Sequence, residues 1–198
     1  MTDVAQTTAA APPLEKKWWI LGLGLPVLVW ADLYTKALIV DKITVYERLP
    51  VIEGYFDLFH TRNRGAAFGL FNDLSPTLSI VFFWVVTIVA LGILSYLFWH
   101  IREGQNFLAA TVTFILGGAA GNFVDRLRYG YVVDFLDFYV EPAAWPNLYQ
   151  WLTSAIGTAH WPTFNVADVW ISVGATMLIV YSLFLEPKER AAAEKPAA

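Results

Sequence analysis

The chain has 198 residues, of which 57% are hydrophobic and only 15% are charged, and its formal net charge is -4. Soluble globular domains contain about 25% charged residues, so this composition argues against a water-soluble protein. The small net charge gives no indication of nucleic-acid binding, and the absence of cysteine excludes disulfides and thiolate metal sites.

Apolar residues are concentrated in long blocks that have the length of membrane-spanning helices. We predict four spans, at about residues 18–40, 76–99, 107–124 and 166–185. Each block contains roughly the 17 to 25 residues that a helix needs to cross the hydrocarbon core of a bilayer. A soluble bundle of buried helices is the alternative, and four such blocks in so short a chain argue against it. The predicted fold is therefore an all-α polytopic membrane protein.

The predicted spans divide the chain into one membrane domain and two tails. The membrane domain covers residues 16–188, and the polar, proline-containing segments 1–15 and 189–198 are predicted to be disordered. Lys16 and Lys17, just before the first block, superficially resemble the start of a secretory signal. The block is too long for a typical signal core, so we predict that it is retained as the first span.

The predicted topology places the two long loops, 41–75 and 125–165, together on one side of the membrane and both termini on the other. Lysine and arginine mark cytoplasmic segments, but they number six on each side of the predicted bundle. The basic residues of the two loops are accompanied by many acids, which favours cytoplasmic termini. All the polar clusters described below fall at the loop side.

Several ionisable residues lie within or beside the spans, where a charge is costly and is usually paired or functional. Asp32 and Lys36 are four residues apart and can form an ion pair on one helix face. Two roles stay open for Asp32 and Lys36, a structural ion pair at the helix end and a direct role in a functional site. Asp125 and Arg126 are adjacent and point to different helix faces, so we predict that they join a structural charge network.

Two further acids are candidates for chemistry. Asp134 lies between apolar neighbours in VVDFLDF, and Asp168 lies at the start of the fourth span. Two carboxyls held close together at low dielectric cannot both ionise easily, and such a pair can polarise a carbonyl and activate a water. Ordinary roles remain open, because Asp168 can cap a helix and Asp134 can be a solvated loop acid. Asp137 is interpreted as a merely solvated acid.

Other catalytic chemistries lack their motifs. The chain contains no HExxH, GxSxG or Walker sequence, and its three histidines are scattered. We therefore predict no metal and no cofactor. The small residues of GGAAG (117–121) are predicted to allow close helix packing. Asn63, Asn122 and Asn165 are predicted to complete hydrogen-bond networks or to hold the backbone of a ligand.

Four short motifs occur in order at the predicted loop side, namely NRGAAFG, GGAAGNFVDR, VVDF and FNVAD. Together they resemble the lipoprotein signal peptidase (signal peptidase II) family, and the resemblance extends from Asp32 through the fourth span. It implies an aspartic endopeptidase of the bacterial cytoplasmic (inner) membrane, with cytoplasmic termini and an active site at the extracytoplasmic face. Such an enzyme removes signal peptides from diacylglyceryl-modified prolipoproteins, cleaving before the lipidated cysteine with a water activated by two aspartates.

By motif, the resemblance implies that Asp134 and Asp168 are the catalytic pair. The residues implied to bind substrate or to support the pair are Asn63, Asn122, Asn165, Arg126, Asp125, Asp32 and Lys36. The loop after the first span is implied to form a small β-cradle, and its alternating β-formers suit short strands. The partners implied are prolipoproteins and membrane lipids, with no nucleic acid, and we expect a monomer.

The segment 139–163, between the two aspartates, is interpreted as longer than is usual for the family. Its tryptophan, leucine and isoleucine content predicts an interfacial loop or helix on the extracytoplasmic face. Two interpretations stay open, a mobile lid over the site and an insertion without a function. If the segment is a lid, we expect deletion of residues 143–160 to impair substrate retention and to leave the fold intact.

A small ion-coupled carrier is the competing function, with Asp32, Asp125 and Asp168 as a proton path. Carriers usually place ionisable groups near the bilayer midplane and often contain internal repeats. Here the acids gather at one face and no repeat is visible. A non-catalytic membrane scaffold is the third hypothesis, and it has no use for two embedded aspartates.

Overall fold

The structure is a computed structural model that describes residues 15–65 and 76–187. Its elements in chain order are α1 (Lys16–Lys42), β1 (Arg48–Ile52), β2 (Phe56–Asn63), α2 (Pro76–His100), α3 (Asn106–Tyr129), β3 (Val132–Phe138), α4 (Pro146–Ile156) and α5 (Val166–Val180), and α5 is continued by a π-helical turn (Tyr181–Leu185). The predicted disordered tails, apart from Glu15, lie outside the described residues.

The helices α1, α2, α3 and α5 with its π-helical turn contain four segments long and apolar enough to cross a membrane, which confirms the predicted spans. Helix α3 extends beyond the predicted span 107–124, because it continues to Tyr129 and therefore contains Asp125 and Arg126. The apolar block ends at Val124, but the helix continues, since basic residues are favourable in a last helical turn. Gly130, at φ 73°, then adopts the left-handed conformation that ends many helices.

Helix α3 is the centre of the bundle and packs against α1, α2 and α5. Its glycines allow this close approach. A Cβ on Gly117 would lie 2.8 Å from the Cβ of Leu28 on α1, and one on Gly118 would lie 2.3 Å from the carbonyl oxygen of Ala167 on α5. Because lipid tails are as apolar as leucine, helices associate in membranes by such close packing. The predicted role of GGAAG is confirmed.

Substitution of Gly121 is expected to destabilise the bundle, because a Cβ there would lie 2.4 Å from the Oδ2 atom of Asp32 on α1. We expect Gly121→Ala to lower the free energy of unfolding by about 1–3 kcal/mol, the usual cost of overpacking. Gly92→Ala on α2 is the matched control, since a Cβ there has nothing within 4 Å. Thermal unfolding in detergent measures both, and equal melting temperatures would contradict the close contact.

A small antiparallel sheet of order β1-β2-β3 lies at the end of the bundle where α1 ends and α5 begins. Strands β1 and β2 lie in the loop after the first span, as predicted for the β-cradle, whereas β3 comes from the loop after α3. Strand β2 pairs with β3 so that Thr61 lies opposite Asp134 and Phe56 opposite Phe138. The register shifts between Leu58 and Thr61. Such irregularities bend a strand and re-aim the side chains beside them.

The residues after α4 return along the free edge of β3. The Trp161 amide donates to the Phe138 carbonyl at 2.9 Å, and the Phe164 amide donates to the Leu136 carbonyl at 3.1 Å. These backbone bonds run antiparallel to β3. They carry the chain back towards Asp134 before α5 begins, so strand pairing brings the two ends of the segment 139–163 close together.

Helix α4 lies within the segment 139–163, where the sequence predicts an interfacial loop or helix. No charged residue occurs from 142 to 159. Trp145, Leu148 and Trp151 are exposed on and beside the helix, which suits a helix lying at a membrane surface. The amide of Glu141 donates to the carbonyl of Gly54 at 3.0 Å, which fixes the start of the segment 139–163 at the β1–β2 turn.

The interpretation of Asp137 as a solvated acid was wrong, because its side chain is fully buried. It forms an ion pair with Arg48 and accepts a hydrogen bond from Thr163 Oγ1 at 3.0 Å. Asp57 lies opposite Asp137 on β2 and also contacts Arg48, at 3.3 Å. The arginine therefore compensates two buried carboxylates and ties β1 to β2 and β3.

Candidate active site

Asp134 and Asp168 come from different elements and meet at one residue, Asn165. Asp134 lies on β3 and is only 3% exposed, and Asp168 lies in the first turn of α5. The Asn165 side-chain amide donates to Asp134 Oδ1 at 2.6 Å, and the Asn165 backbone amide donates to Asp168 Oδ2 at 3.1 Å. One residue thus holds both carboxyls.

The start of α5 explains the geometry of Asp168. Asn165 is the N-cap residue, and its side chain accepts a hydrogen bond from the Asp168 amide at 3.1 Å. Asp168 returns a bond to the N-cap backbone, which completes a capping box. The helix-capping role anticipated for Asp168 is therefore present, but it uses one oxygen only. The other oxygen, Oδ1, accepts from Asn122 Nδ2 at 2.9 Å.

Three asparagines fix the orientation of the two carboxyls. Asn63 donates to Asp134 Oδ2 at 2.9 Å, and its own Oδ1 is held by the amide of Gly65 at 2.8 Å. Asn122 Oδ1 accepts from the Asn165 side chain at 3.1 Å. Each of the four oxygens of Asp134 and Asp168 therefore accepts one hydrogen bond. Of the two roles open for the asparagines, the geometry supports completion of a hydrogen-bond network.

A buried charge cluster lies behind the pair. Lys36 is 2% exposed and contacts Asp32 at 2.8 Å and Asp125 at 3.0 Å. Its ammonium also donates to Asn122 Oδ1 at 2.9 Å. The i, i+4 ion pair expected from the sequence is present, and it is joined by an acid from α3.

The two acids of this cluster each bind the backbone next to one member of the pair. Asp32 Oδ1 accepts the amide of Ala167 at 2.9 Å, and Asp125 Oδ2 accepts the amide of Val133 at 3.0 Å. Ala167 precedes Asp168 and Val133 precedes Asp134 in the chain. The cluster therefore clamps the backbone beside both aspartates, and these two hydrogen bonds could not be predicted from sequence motifs.

The environment of Asp134 raises the pKa of its carboxyl to about 7. Burial is the largest cause, and repulsion from the neighbouring Asp168 acts in the same direction. Hydrogen bonds from Asn63 and Asn165 and the positive charge of Lys36 lower the pKa and offset part of this effect. Asp134 therefore titrates in the neutral range, as expected of one member of an acid–base pair.

Arg126 faces a different region from its neighbour Asp125, as their adjacency predicts. Its guanidinium carbon lies 5.5 Å from the ring centre of Phe83, and it lines a cleft with Asn63 and Trp84. Its charge also interacts with Asp168 and Asp134. Eight of the nine predicted site residues are thus joined by hydrogen bonds or ion pairs, and Arg126 interacts with them through its charge.

The segment 139–163 contributes little to the side-chain contacts of the pair. The hydrogen bonds to the carboxyls of Asp134 and Asp168 come from the asparagines, and within the described residues none comes from 143–160. Trp161, near the end of this segment, lines a groove beside Asp168. Among the described residues, no group of three or more histidine, aspartate or glutamate side chains is arranged to hold a metal ion.

A bundle of four apolar helices with two hydrogen-bonded carboxyls at one end defines a polytopic membrane protein with a candidate acid–base site. Residues 25–184 match the family described as signal peptidase (SPase) II. The lipoprotein signal peptidase of Geobacter sulfurreducens is 42% identical over 149 residues, which are 75% of this chain and 82% of that protein. That of Desulforapulum autotrophicum is 38% identical over 80% of this chain and 88% of its own length.

Two solved structures, both described as bacterial membrane enzymes determined by the in meso method, are also similar. One is 28% identical with a TM-score of 0.66 and covers 86% of this chain and 94% of its own. The other is 26% identical with a TM-score of 0.66 and covers 92% of this chain and 93% of its own. The chain belongs to the signal peptidase II family. It is therefore a multi-pass membrane protein of a bacterial protease family.

Proposed function

We propose that the protein is an aspartic endopeptidase that removes signal peptides from diacylglyceryl-modified prolipoproteins, cleaving before the lipidated cysteine. Membership of the signal peptidase II family supports this substrate class. The observation that carries the aspartic chemistry is that Asn165 holds the carboxyls of Asp134 and Asp168 side by side. Two carboxyls that share one proton can supply both an acid and a base to a single water.

The proposed reaction begins with the shared proton on Asp134, whose pKa is raised to about 7. Asp168 takes a proton from a water lying between the carboxyls, and the oxygen of that water attacks the carbonyl carbon of the scissile peptide bond. Asp134 gives its proton to the carbonyl oxygen, which yields a neutral tetrahedral diol. Return of a proton from Asp168 to the peptide nitrogen allows the C–N bond to break, and the diol proton goes back to Asp134.

The first experiment is cleavage of a synthetic prolipoprotein by the purified protein in detergent, with and without the diacylglyceryl group on its cysteine. Mass spectrometry of the products is expected to show one cut, before the modified cysteine, and no cut in the unmodified peptide. Cleavage of both peptides would contradict recognition of the lipid. Absence of any cleavage, together with proton uptake in proteoliposomes, would favour the carrier.

The pH dependence of cleavage tests the assignment of the proton. We expect kcat to fall as pH rises through about 7, because Asp134 then ionises and no acid remains. Asn63→Ala removes a donor to the charged carboxylate, so the pKa of Asp134 rises further and the fall moves to higher pH. Thr61→Val is the control, since the Thr61 hydroxyl donates to the backbone carbonyl of Asp134, at 3.4 Å, and not to its carboxyl. An unchanged pH profile in Asn63→Ala would assign the proton to the other carboxyl, which Asn63 does not contact.

We also propose that the termini are cytoplasmic and that a monomer in the inner membrane, surrounded by lipid, presents the site at the extracytoplasmic face. The absence of cysteine makes single-cysteine labelling simple. Ala143→Cys, in an exposed position before α4, is expected to react with a membrane-impermeant maleimide on intact spheroplasts. Glu103→Cys, in the exposed turn between α2 and α3, is expected to react only after lysis. The reverse pattern would invert the orientation.

A further inference from the structure

A cavity of about 840 Å³ opens between α2, α3 and the end of α5, at the end of the bundle opposite the two aspartates. It reaches the turn between α2 and α3 and the π-helical turn after α5. We propose that it binds one phospholipid whose headgroup carries a phosphate and a primary ammonium, namely phosphatidylethanolamine. This site is separate from the catalytic pair and does not depend on the proposed function.

The walls of the cavity suit an acyl chain. The apolar side chains that line it come from α2, α3 and α5, and they are Leu94, Leu97, Leu108, Val112, Ile115 and Leu178. On α3, Leu108 and Ile115 are seven residues apart, which corresponds to about 10 Å at 1.5 Å per residue. Leu97 and Leu178 are 50% and 41% exposed, so the cavity is open to the hydrocarbon around the bundle. A lipid can therefore enter it from the bilayer.

The mouth of the cavity is polar and charged. Its side chains come from the end of α2, the turn that follows it and the end of α5, and they are His100, Arg102, Glu103, Gln105, Ser182 and Glu186. Gln105 Nε2 donates to the Tyr181 hydroxyl at 2.9 Å, which joins this turn to the π-helical turn. Turns of π-helix are rare and occur frequently at functional sites. An apolar cavity with a polar mouth at the end of the membrane spans fits an amphipathic ligand, a lipid.

The charges at the mouth favour a headgroup that carries both signs. Among the described residues that line the cavity, Arg102 is the only arginine or lysine, and Glu103 and Glu186 are the two acids. Within residues 15–65 and 76–187, neither Arg102 nor Glu103 forms an ion pair. Arginine binds phosphate through its N–H donors, and an ammonium donates charge-assisted hydrogen bonds to carboxylates. The mouth therefore offers a partner to each charge of a zwitterionic headgroup.

The same charges disfavour other phospholipid headgroups. Phosphatidylglycerol carries a phosphate and no cation, so its headgroup would approach two acids without compensation. Phosphatidylcholine carries both charges, but its quaternary ammonium has no N–H group to donate to a carboxylate. The bilayer solvates acyl chains as well as leucine does, so the walls of the cavity add little preference for one lipid over another. Discrimination therefore depends on the headgroup.

The test is native mass spectrometry of the purified protein, titrated in detergent with dioleoyl phospholipids that differ only in their headgroup. We expect phosphatidylethanolamine to bind about tenfold more tightly than phosphatidylcholine or phosphatidylglycerol, the usual effect of one hydrogen bond to a charged group. Arg102→Ala should weaken binding of all three lipids by about tenfold, because each carries a phosphate. Arg128→Ala is the control, since Arg128 is exposed near the opposite end of α3 and does not line the cavity.

Two further changes test the acids and the apolar walls. Glu103→Gln combined with Glu186→Gln removes both acids, so we expect the preference for phosphatidylethanolamine over phosphatidylglycerol to disappear. Leu97→Trp places a bulky ring in the cavity and should weaken binding of all three lipids. Ile93→Trp is its control, because Ile93 is 55% exposed on the same helix and does not line the cavity.

Equal affinities of the wild-type protein for the three lipids would overturn the proposal, because they would indicate a general lipid-covered surface without a headgroup site. Equal effects of Arg102→Ala and Arg128→Ala, or of Leu97→Trp and Ile93→Trp, would overturn the location in this cavity. A preference for phosphatidylethanolamine that survives the loss of both acids would overturn the assignment of the ammonium. Each of these outcomes leaves the proposed function standing, since cleavage of prolipoprotein is measured separately.

Discussion

Asp134→Asn and Asp168→Asn are each expected to lower the rate of prolipoprotein cleavage by about three to four orders of magnitude, the upper range for loss of a general acid or base. Asparagine has nearly the shape of aspartate and retains an oxygen that can accept from Asn165 or Asn122. It can neither take a proton from water nor hold one for the carbonyl oxygen. Single-turnover cleavage of the diacylglyceryl-modified peptide measures the loss.

The stability of Asp134→Asn distinguishes loss of chemistry from loss of fold. The pKa of Asp134 is about 7 in the folded protein, whereas that of an unfolded aspartate is about 4. Ionisation of Asp134 therefore costs folding free energy progressively as pH rises from about 4 to about 7, and the cost is then complete. At pH 8 we expect Asp134→Asn to be more stable than the wild type by on the order of a few kcal/mol. At pH 4 this advantage should vanish.

Asp41→Asn is the matched control for these measurements, because Asp41 is exposed and pairs with Lys42 away from the site. It should change neither the rate nor the stability appreciably. Cleavage that survives in either Asp134→Asn or Asp168→Asn would mean that the catalytic pair is misassigned. A variant that unfolds at all pH values would instead assign the carboxyl to the structural network.

The spans could be predicted because a membrane helix is a local property of about twenty consecutive residues. The end of α3 could not be predicted from hydropathy, since its last turn after Val124 is polar and is continued to Tyr129 by capping at Gly130. Likewise, the pairing of Asp32 with Lys36 follows from helical spacing. The third member, Asp125, joins them only because α3 packs against α1.

The proximity of Asp134 and Asp168 is not a local property, because thirty-three residues separate them. In the folded protein the separation is closed by pairing of the segment ending at Phe164 with β3, an edge-strand contact without a sequence motif. Family resemblance supplied the pair where spacing could not. Asp137 shows another limit, since its ion-pair partner Arg48 lies on β1, a strand that pairs with β2 and not with the strand of Asp137.

Loss of Lys36 is expected to have the largest effect on stability. Lys36→Met would leave Asp32 and Asp125, which are 0% and 1% exposed, without their compensating charge. Removal of one member of a buried ion pair costs about 3–5 kcal/mol, because the remaining charge stays unpaired at low dielectric. The same two carboxylates hold the amides of Ala167 and Val133, so cleavage should also fall. Thermal unfolding in detergent measures the first effect, and kcat the second.

Lys42→Met provides the comparison. Lys42 forms an ion pair with Asp41 at 2.8 Å, the same distance as that between Lys36 and Asp32, but its two side chains are 74% and 68% exposed. An exposed ion pair contributes only about 0–1 kcal/mol to the free energy of unfolding. Comparison of the two variants therefore separates the effect of burial from the effect of pairing. Asp32→Asn added to Lys36→Met should recover part of the lost stability, since one unpaired charge is then removed. Similar melting temperatures for Lys36→Met and Lys42→Met would mean that water reaches the cluster and that it does not clamp the backbone of the two aspartates.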